Sequence, residues 1–314
     1  MISTLFPGSP NGDGEALDRA AETAISRREL LDLLPRGLAA ALAHQGAMIR
    51  EIWGDGGHIF LRAGSRQGEL FGRYSQDPRD ELRFAHELAV RRVIGASGFL
   101  RSPAVLDGGT GWLLEVAVKP EPCRGAYAVD TVVAAASALT EVRLPEAPAG
   151  LHKPDGWWRA SRLLWRSRSV HLRHADVLLS RRLLASSTLP LVTSHGDFRP
   201  ENVLLEGGAA WVVDWESSGK RPAGYDLMQF WCDLERVVDR DRVFESALEL
   251  VGLARRLELE RLRFAVAVAS AACQVLDPPA GVRDPKAEER YRELIEEARV
   301  AARLQVRSSR RGPS

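Results

Sequence analysis

Along residues 26–44, SRRELLDLLPRGLAAALAH, apolar positions recur three and four apart, with Leu30, Leu33 and Leu34 on one stripe and Ser26 and Glu29 at capping-box spacing. That pattern predicts a helix, interrupted at Pro35, where the ring removes a backbone donor. From Met48 to Ser75 the period changes. Three short runs rich in aliphatic and aromatic residues, AMIREIW, HIFLRA and ELFGRYS, are separated by GDGG and GSRQG and predict a three-stranded antiparallel meander. DPRDELRFAHELAVRRVIG returns to helical spacing, with Leu82, Ala85, Leu88 and Ala89 sharing a face and a stop near Gly95. PAVLDGGTGWLLEVAV then alternates around DGGTG and predicts a hairpin.

From about Tyr127 the pattern is helical, broken by the strand-like pair NVLLEGGAAWVVDW and by a Pro-rich loop, Leu144–Gly156. Phe264–Leu276 is the longest apolar run; it is too short to cross a bilayer and reads as a buried core helix. The chain start is rich in Gly, Pro and Asn and has no signal-peptide pattern, and RSSRRGPS at the end lacks apolar periodicity. The expected organisation is a flexible tail (1–25), a β-rich lobe (26–116), a helical lobe (117–306) and a disordered tail (307–314).

With 314 residues, 45% of them hydrophobic, the chain exceeds what one core usually organises. A formal net charge of +1 provides no global field, which argues against nucleic acid or a membrane surface as partner. Cys123, Cys232 and Cys273 are odd in number and widely spaced, which points to a reducing, cytoplasmic setting rather than a disulfide scaffold.

The candidate chemistry lies in Ser194–Glu216, SHGDFRPENVLLEGGAAWVVDWE. A hairpin turning at Glu206 to Gly208 brings Asn202 and Asp214 together at its open end, within reach of Asp197 on the preceding loop. Three oxygen-bearing side chains then converge, as Mg²⁺ prefers. No thiolate is present and His195 is the one imidazole nearby, so zinc fits poorly. An Asp, an Asn five residues on and an Asp after the next hairpin follow the order used in phosphoryl transfer.

The same stretch resembles the catalytic segment of the aminoglycoside phosphotransferase and choline kinase superfamily. There, HGD stands where protein kinases have HRD, and a DWE-type triplet stands where they have DFG. PAGYDL, Pro222–Leu227, resembles the segment that follows, in which an Asp, here Asp226, supports the catalytic loop. The resemblance implies an α+β, bilobal protein-kinase-like fold, with a small antiparallel β N-lobe carrying one main helix and a larger, mostly helical C-lobe. It implies Asp197 as the general base or hydroxyl-orienting group, with His195 fixing the loop through hydrogen bonds. Asn202 and Asp214 become Mg²⁺ ligands bridging to the phosphates of ATP (or GTP). Glu216 stays open between a partner of the metal site and an ordinary loop residue.

Kinases also hold phosphates with a lysine on the third strand, paired with a glutamate on the next helix. No lysine precedes Lys119 here. Arg73 in ELFGRYS is the candidate in its place, Arg62 in HIFLRA the rival. Glu87 is preferred over Glu81, whose place at the helix start the dipole already explains. GDGG reads as a hairpin turn, although its backbone could cover phosphates. WLLEVAV resembles the hinge, where backbone groups near Glu115 and Val116 meet the adenine.

The expected function is therefore an ATP-dependent phosphotransferase acting on a hydroxyl of a small antibiotic, sugar or amino alcohol, as monomer or homodimer. The alternative, suggested by the missing lysine and glycine loop, is a catalytically silent kinase-like protein that binds a nucleotide or metabolite. Trp158, Arg162 and Trp165 fall on one stripe of a basic stretch, Trp157–Arg182, which reads either as a solvated arginine face or as a seat for an anionic or sugar-like acceptor.

Overall fold

The computed structural model describes residues 27–55, 58–97, 100–119, 126–146, 148, 174–276 and 285–309. The 1–25 tail, most of the Pro-rich loop and the Trp158–Trp165 stripe lie outside these residues. By internal contacts the chain divides into two units, Met1–Leu88 with Pro103–Val118, and Ala89–Ser102 with Lys119–Ser314.

In the first unit, α1 (Arg27–Asp32) and α2 (Arg36–His44) part at Pro35, followed by β1 (Met48–Asp55), β2 (His58–Ser65) and β3 (Gly68–Ser75). After α3 (Glu81–Ser97), the hairpin β4 (Val105–Gly109) and β5 (Trp112–Val116) completes one five-stranded antiparallel sheet of order β1-β2-β3-β5-β4. Side chains alternate across a strand. One face therefore presents Leu61, Leu70, Tyr74 and Leu114, which bury against Leu30, Leu38 and Leu42 of α1 and α2. Gly72 makes this packing possible, because a Cβ there would lie 2.9 Å from Leu61 Cδ1. Tyr74, fully buried, donates its O–H to Leu30 O at 2.9 Å and ties β3 to α1. The opposite face carries Trp53, Phe60, Arg62, Phe71 and Arg73 in register.

The structure corrects the expected face of α3. Leu82 and Ala85 are exposed, whereas Phe84, Glu87, Arg91 and Ile94 are buried. Two charged residues occupy the inward stripe, so apolar spacing alone gives the wrong phase. Asp80, just before the helix, accepts Ser75 Oγ at 2.6 Å and Arg83 Nη1 at 3.2 Å, and lies 2.9 Å from His58 Nε2.

The second unit contains α4 (Ala126–Thr140), α5 (His174–Ala185), β6 (Leu191–Ser194), β7 (Val203–Glu206), β8 (Ala209–Val212), β9 (Gly219–Pro222), α6 (Tyr225–Asp233), α7 (Val237–Val251), α8 (Arg256–Leu276) and α9 (Pro285–Ser309). β6 pairs with β9 and β7 with β8, two small antiparallel sheets set among helices. Phe264, Val266 and Val268 of α8 are buried with Trp215, Trp231 and Phe244 in one core, as the apolar run implied. Among the described residues no helix is long and apolar enough to cross a membrane. α9 reaches Ser309, so residues 307–309, expected in a disordered tail, are helical. Its polar surface is held by pairs three apart, Glu289 with Arg292 and Glu296 with Arg299, which apolar periodicity does not register.

Candidate active site

The loop after β6 is shaped by one glycine and one buried carboxylate. Gly196 has φ +82°, and a Cβ there would meet Ser217 O at 2.3 Å, so the position requires glycine. Asp226, in the first turn of α6, accepts Ser194 Oγ at 2.6 Å, His195 N–H at 2.8 Å and Gly196 N–H at 3.0 Å. Three donors satisfy this buried side chain, and the loop is fixed to the helix.

His195 is fully buried, its ring edge-on to Trp215 at 4.8 Å between centroids. Its Nδ1 accepts Asp197 N–H at 3.3 Å, and its Nε2 lies 2.8 Å from Val213 O. A carbonyl only accepts, so the network assigns the Nε2–H tautomer. With both nitrogens engaged in the backbone, His195 holds the loop to the segment before Asp214.

The hairpin β7–β8 turns through Gly207 and Gly208, with φ of 56° and 74°, as a two-residue turn with both central residues left-handed demands. At its open end Val213 N–H donates to Asn202 O at 3.0 Å. Asn202 Nδ2 donates to Asp197 O at 2.8 Å and to Asp197 Oδ2 at 3.1 Å. Both partners are acceptors, so the near atom is nitrogen and the amide's remaining polar atom, Oδ1, is a hard oxygen of the type Mg²⁺ takes. Asp214 is buried at φ 63°, ψ 60°, the single non-glycine residue with positive φ among those described. Left-handed backbone costs an L-residue roughly 1–2 kcal/mol and is best tolerated by Asp and Asn.

Burial pushes the half-exposed Asp197 carboxyl above its usual range; Arg199 opposes the shift and the Asp214 charge adds to it. Two carboxylates in mutual repulsion beside an amide oxygen suit a hard divalent cation. Among the described residues no group of three or more His, Cys, Asp or Glu side chains gathers into a cage. Asn202 Oδ1 and Asp214 fit magnesium, which takes one or two carboxylate or amide oxygens and keeps waters.

Sequence reasoning missed Gln229, whose Oε1 accepts Phe198 N–H at 3.0 Å, and Asp233, which receives Arg199 Nε at 3.1 Å. The available signal was periodicity: Asp226, Gln229 and Asp233 lie three and four apart, one polar face of α6 turned to the loop. Glu216 sits half-buried in the 3₁₀ turn Trp215–Ser217.

In the first unit, Arg73 is buried and ion-paired with Glu87, their side chains only 8% and 1% exposed. The rival Arg62 instead pairs with Glu51 at 3.5 Å and covers the Trp53 ring. Glu81 is exposed. Glu115 is buried opposite Phe71, while Val116 N–H donates to Ala104 O and Ala117 N–H to Glu69 O.

A five-stranded antiparallel unit with one long helix, and a helical unit whose loop and hairpin carry these groups, define the protein-kinase-like fold of small-molecule phosphotransferases. The model of the APH phosphotransferase enzyme family matches residues 49–265, and the chain belongs to that family. Among solved structures it is similar to a choline/ethanolamine kinase family protein from Mesorhizobium loti, with TM-score 0.59, 19% identity and 92% and 99% of the two chains covered. An ethanolamine kinase from Plasmodium vivax aligns with TM-score 0.56 and 11% identity, over 85% of this chain and 84% of its own. A thermostable mutant of the aminoglycoside phosphotransferase APH(4)-Ia, in complex with ADP and hygromycin B, aligns with TM-score 0.54 and 12% identity, over 82% and 97%. Among curated proteins no sequence matches the chain.

Proposed function

We propose that this protein transfers the terminal phosphoryl group of ATP, or of GTP, to a hydroxyl of a small molecule. The observation that carries this reading is the Asn202 amide, committed through its nitrogen to Asp197 and so presenting its oxygen as a ligand on the hairpin that ends at Asp214. Asp197 takes the acceptor's hydroxyl proton as the acceptor oxygen bonds to phosphorus. The bond from that phosphorus to the bridging oxygen breaks, and the nucleoside diphosphate leaves. Magnesium, held by Asn202 Oδ1 and Asp214, would supply charge neutralisation on the phosphates. Arg73, fixed by Glu87, offers a guanidinium that binds phosphate bidentately where other kinases use lysine. Backbone groups near Glu115 and Val116 would meet the base, although the Val116 and Ala117 N–H groups themselves are taken by Ala104 O and Glu69 O.

The similar structures include proteins named for ethanolamine and choline and one bound to hygromycin B, so an acceptor panel begins with amino alcohols, sugars and aminoglycosides. The expected result is acceptor-stimulated ADP release that falls about a thousandfold in Asp197→Ala. A variant that keeps the wild-type rate would remove Asp197 from the reaction. The second reading, a silent nucleotide- or metabolite-binding protein, draws on the arginine at the lysine position. It requires nucleotide binding with no turnover toward any acceptor.

A further inference from the structure

Asp233 closes α6 with a side chain 7% exposed, and three groups from two other segments converge on it. Its Oδ2 accepts Arg199 Nε at 3.1 Å, and its Oδ1 accepts Arg290 Nη2 at 3.1 Å and Tyr291 O–H at 2.9 Å. Arg290 and Tyr291 belong to α9, beyond residue 265, where the family match ends. Arg199 is also built into the catalytic loop by its backbone: its N–H donates to Asp197 O at 3.1 Å, and its C=O accepts Asn202 N–H at 2.9 Å. Moving Arg199 therefore moves Asp197 and Asn202 together.

We infer that Asp233, Arg199 and Tyr291 are positioning residues that clamp the catalytic loop to the last helix, making α9 part of what sets Asp197 in place. The inference rests on the phosphotransferase reading for its catalytic consequence. With its guanidinium held by the buried Asp233 carboxylate and its backbone hydrogen-bonded to Asp197 and Asn202, Arg199 has little freedom left, so the loop inherits the rigidity of α6 and α9. Tyr291 is itself buried, with Asp233 beside it, and both burial and that charge raise its hydroxyl pKa, so it remains a donor at ordinary pH. Asp226 and Gln229 anchor the loop from within the matched region, whereas the Asp233 contact carries the anchor on to a segment outside it.

The test uses the full chain as wild type, Asp233→Asn and Tyr291→Phe, the second being the milder change should the first weaken folding. Hydrogen exchange of the peptide 195–203 is compared with that of 259–268 in α8, alongside steady-state kinetics with magnesium and ATP. Losing one hydrogen bond of the clamp is expected to speed exchange of the loop peptide about tenfold and leave α8 unchanged. The turnover number should fall by a similar factor, about tenfold, with the ATP KM within about twofold of wild type. Loop exchange at the wild-type rate in both folded variants, or equal loosening of loop and α8, overturns the clamp. Absence of turnover in the wild type would instead sink the kinase reading, and the exchange comparison would still decide the clamp.

Discussion

Gly196 and Asp214 are the two positions of the candidate site where backbone conformation meets the proposed function most directly. Adding a methyl group at Gly196 places it against Ser217 O at an impossible 2.3 Å, so Gly196→Ala must displace the loop. The expected outcome is a stability loss of about 1–3 kcal/mol together with loss of turnover, read by urea denaturation and ADP release. Asp214→Asn separates the two effects, because Asn tolerates left-handed backbone as Asp does but loses the charge. It should denature with the wild-type midpoint and lack activity; retained turnover would remove Asp214 from the metal site. Asp197, Asn202, Asp214 and Asp226 were legible in the sequence because they sit within one local run of motif and hairpin. Gln229 and Asp233 were not, because they meet residues about thirty positions earlier, at 3.0 and 3.1 Å, through a helix face that matters only once folded. Between Arg73 and Arg62 the sequence could not choose; burial against Glu87 distinguishes them.

At the scale of elements, the strands of the first unit were readable from period-two alternation and glycine turns, and the β7–β8 hairpin from its Gly-Gly pair. The phase of α3 was not, since Glu87 and Arg91 lie on the buried stripe that hydrophobic spacing assigns to apolar residues. This inversion yields a paired prediction. Glu87→Gln leaves the buried Arg73 guanidinium without its counter-charge and should cost about 3–5 kcal/mol, whereas Leu82→Glu on the exposed side should stay within about 0.5 kcal/mol. Equal midpoints for the two variants in urea would contradict the assigned face.

Tyr74 makes the joint between β3 and α1 sensitive to pH. Burial raises its phenol from 10.0 to about 12. In the unfolded chain the hydroxyl ionises above pH 10.0, while the folded phenol keeps its proton to about 12, so its contribution is intact below that window and lost as pH rises through it. Stability measured across the window should fall more steeply in wild type than in Tyr74→Phe. Parallel slopes would count against the buried phenol.

Across the whole molecule, one unit is β-rich and the other mostly helical, with bounds that differ from the expected division at residue 116. The boundary by contacts falls inside α3, after Leu88, because Val90 and Ile94 join the core of the second unit. A chain with near-balanced charge gives no long-range field, so recognition of the proposed nucleotide must come from local groups. The most direct test is calorimetric titration of the full chain with ATP, with and without magnesium, for wild type, Asp197→Ala and Asp214→Asn. The expected result is magnesium-dependent binding by wild type and by Asp197→Ala, weakened about a hundredfold in Asp214→Asn, with turnover in the wild type alone. Nucleotide affinity indifferent to magnesium, or unchanged in Asp214→Asn, would contradict a metal-assisted phosphoryl-transfer site at the end of this hairpin.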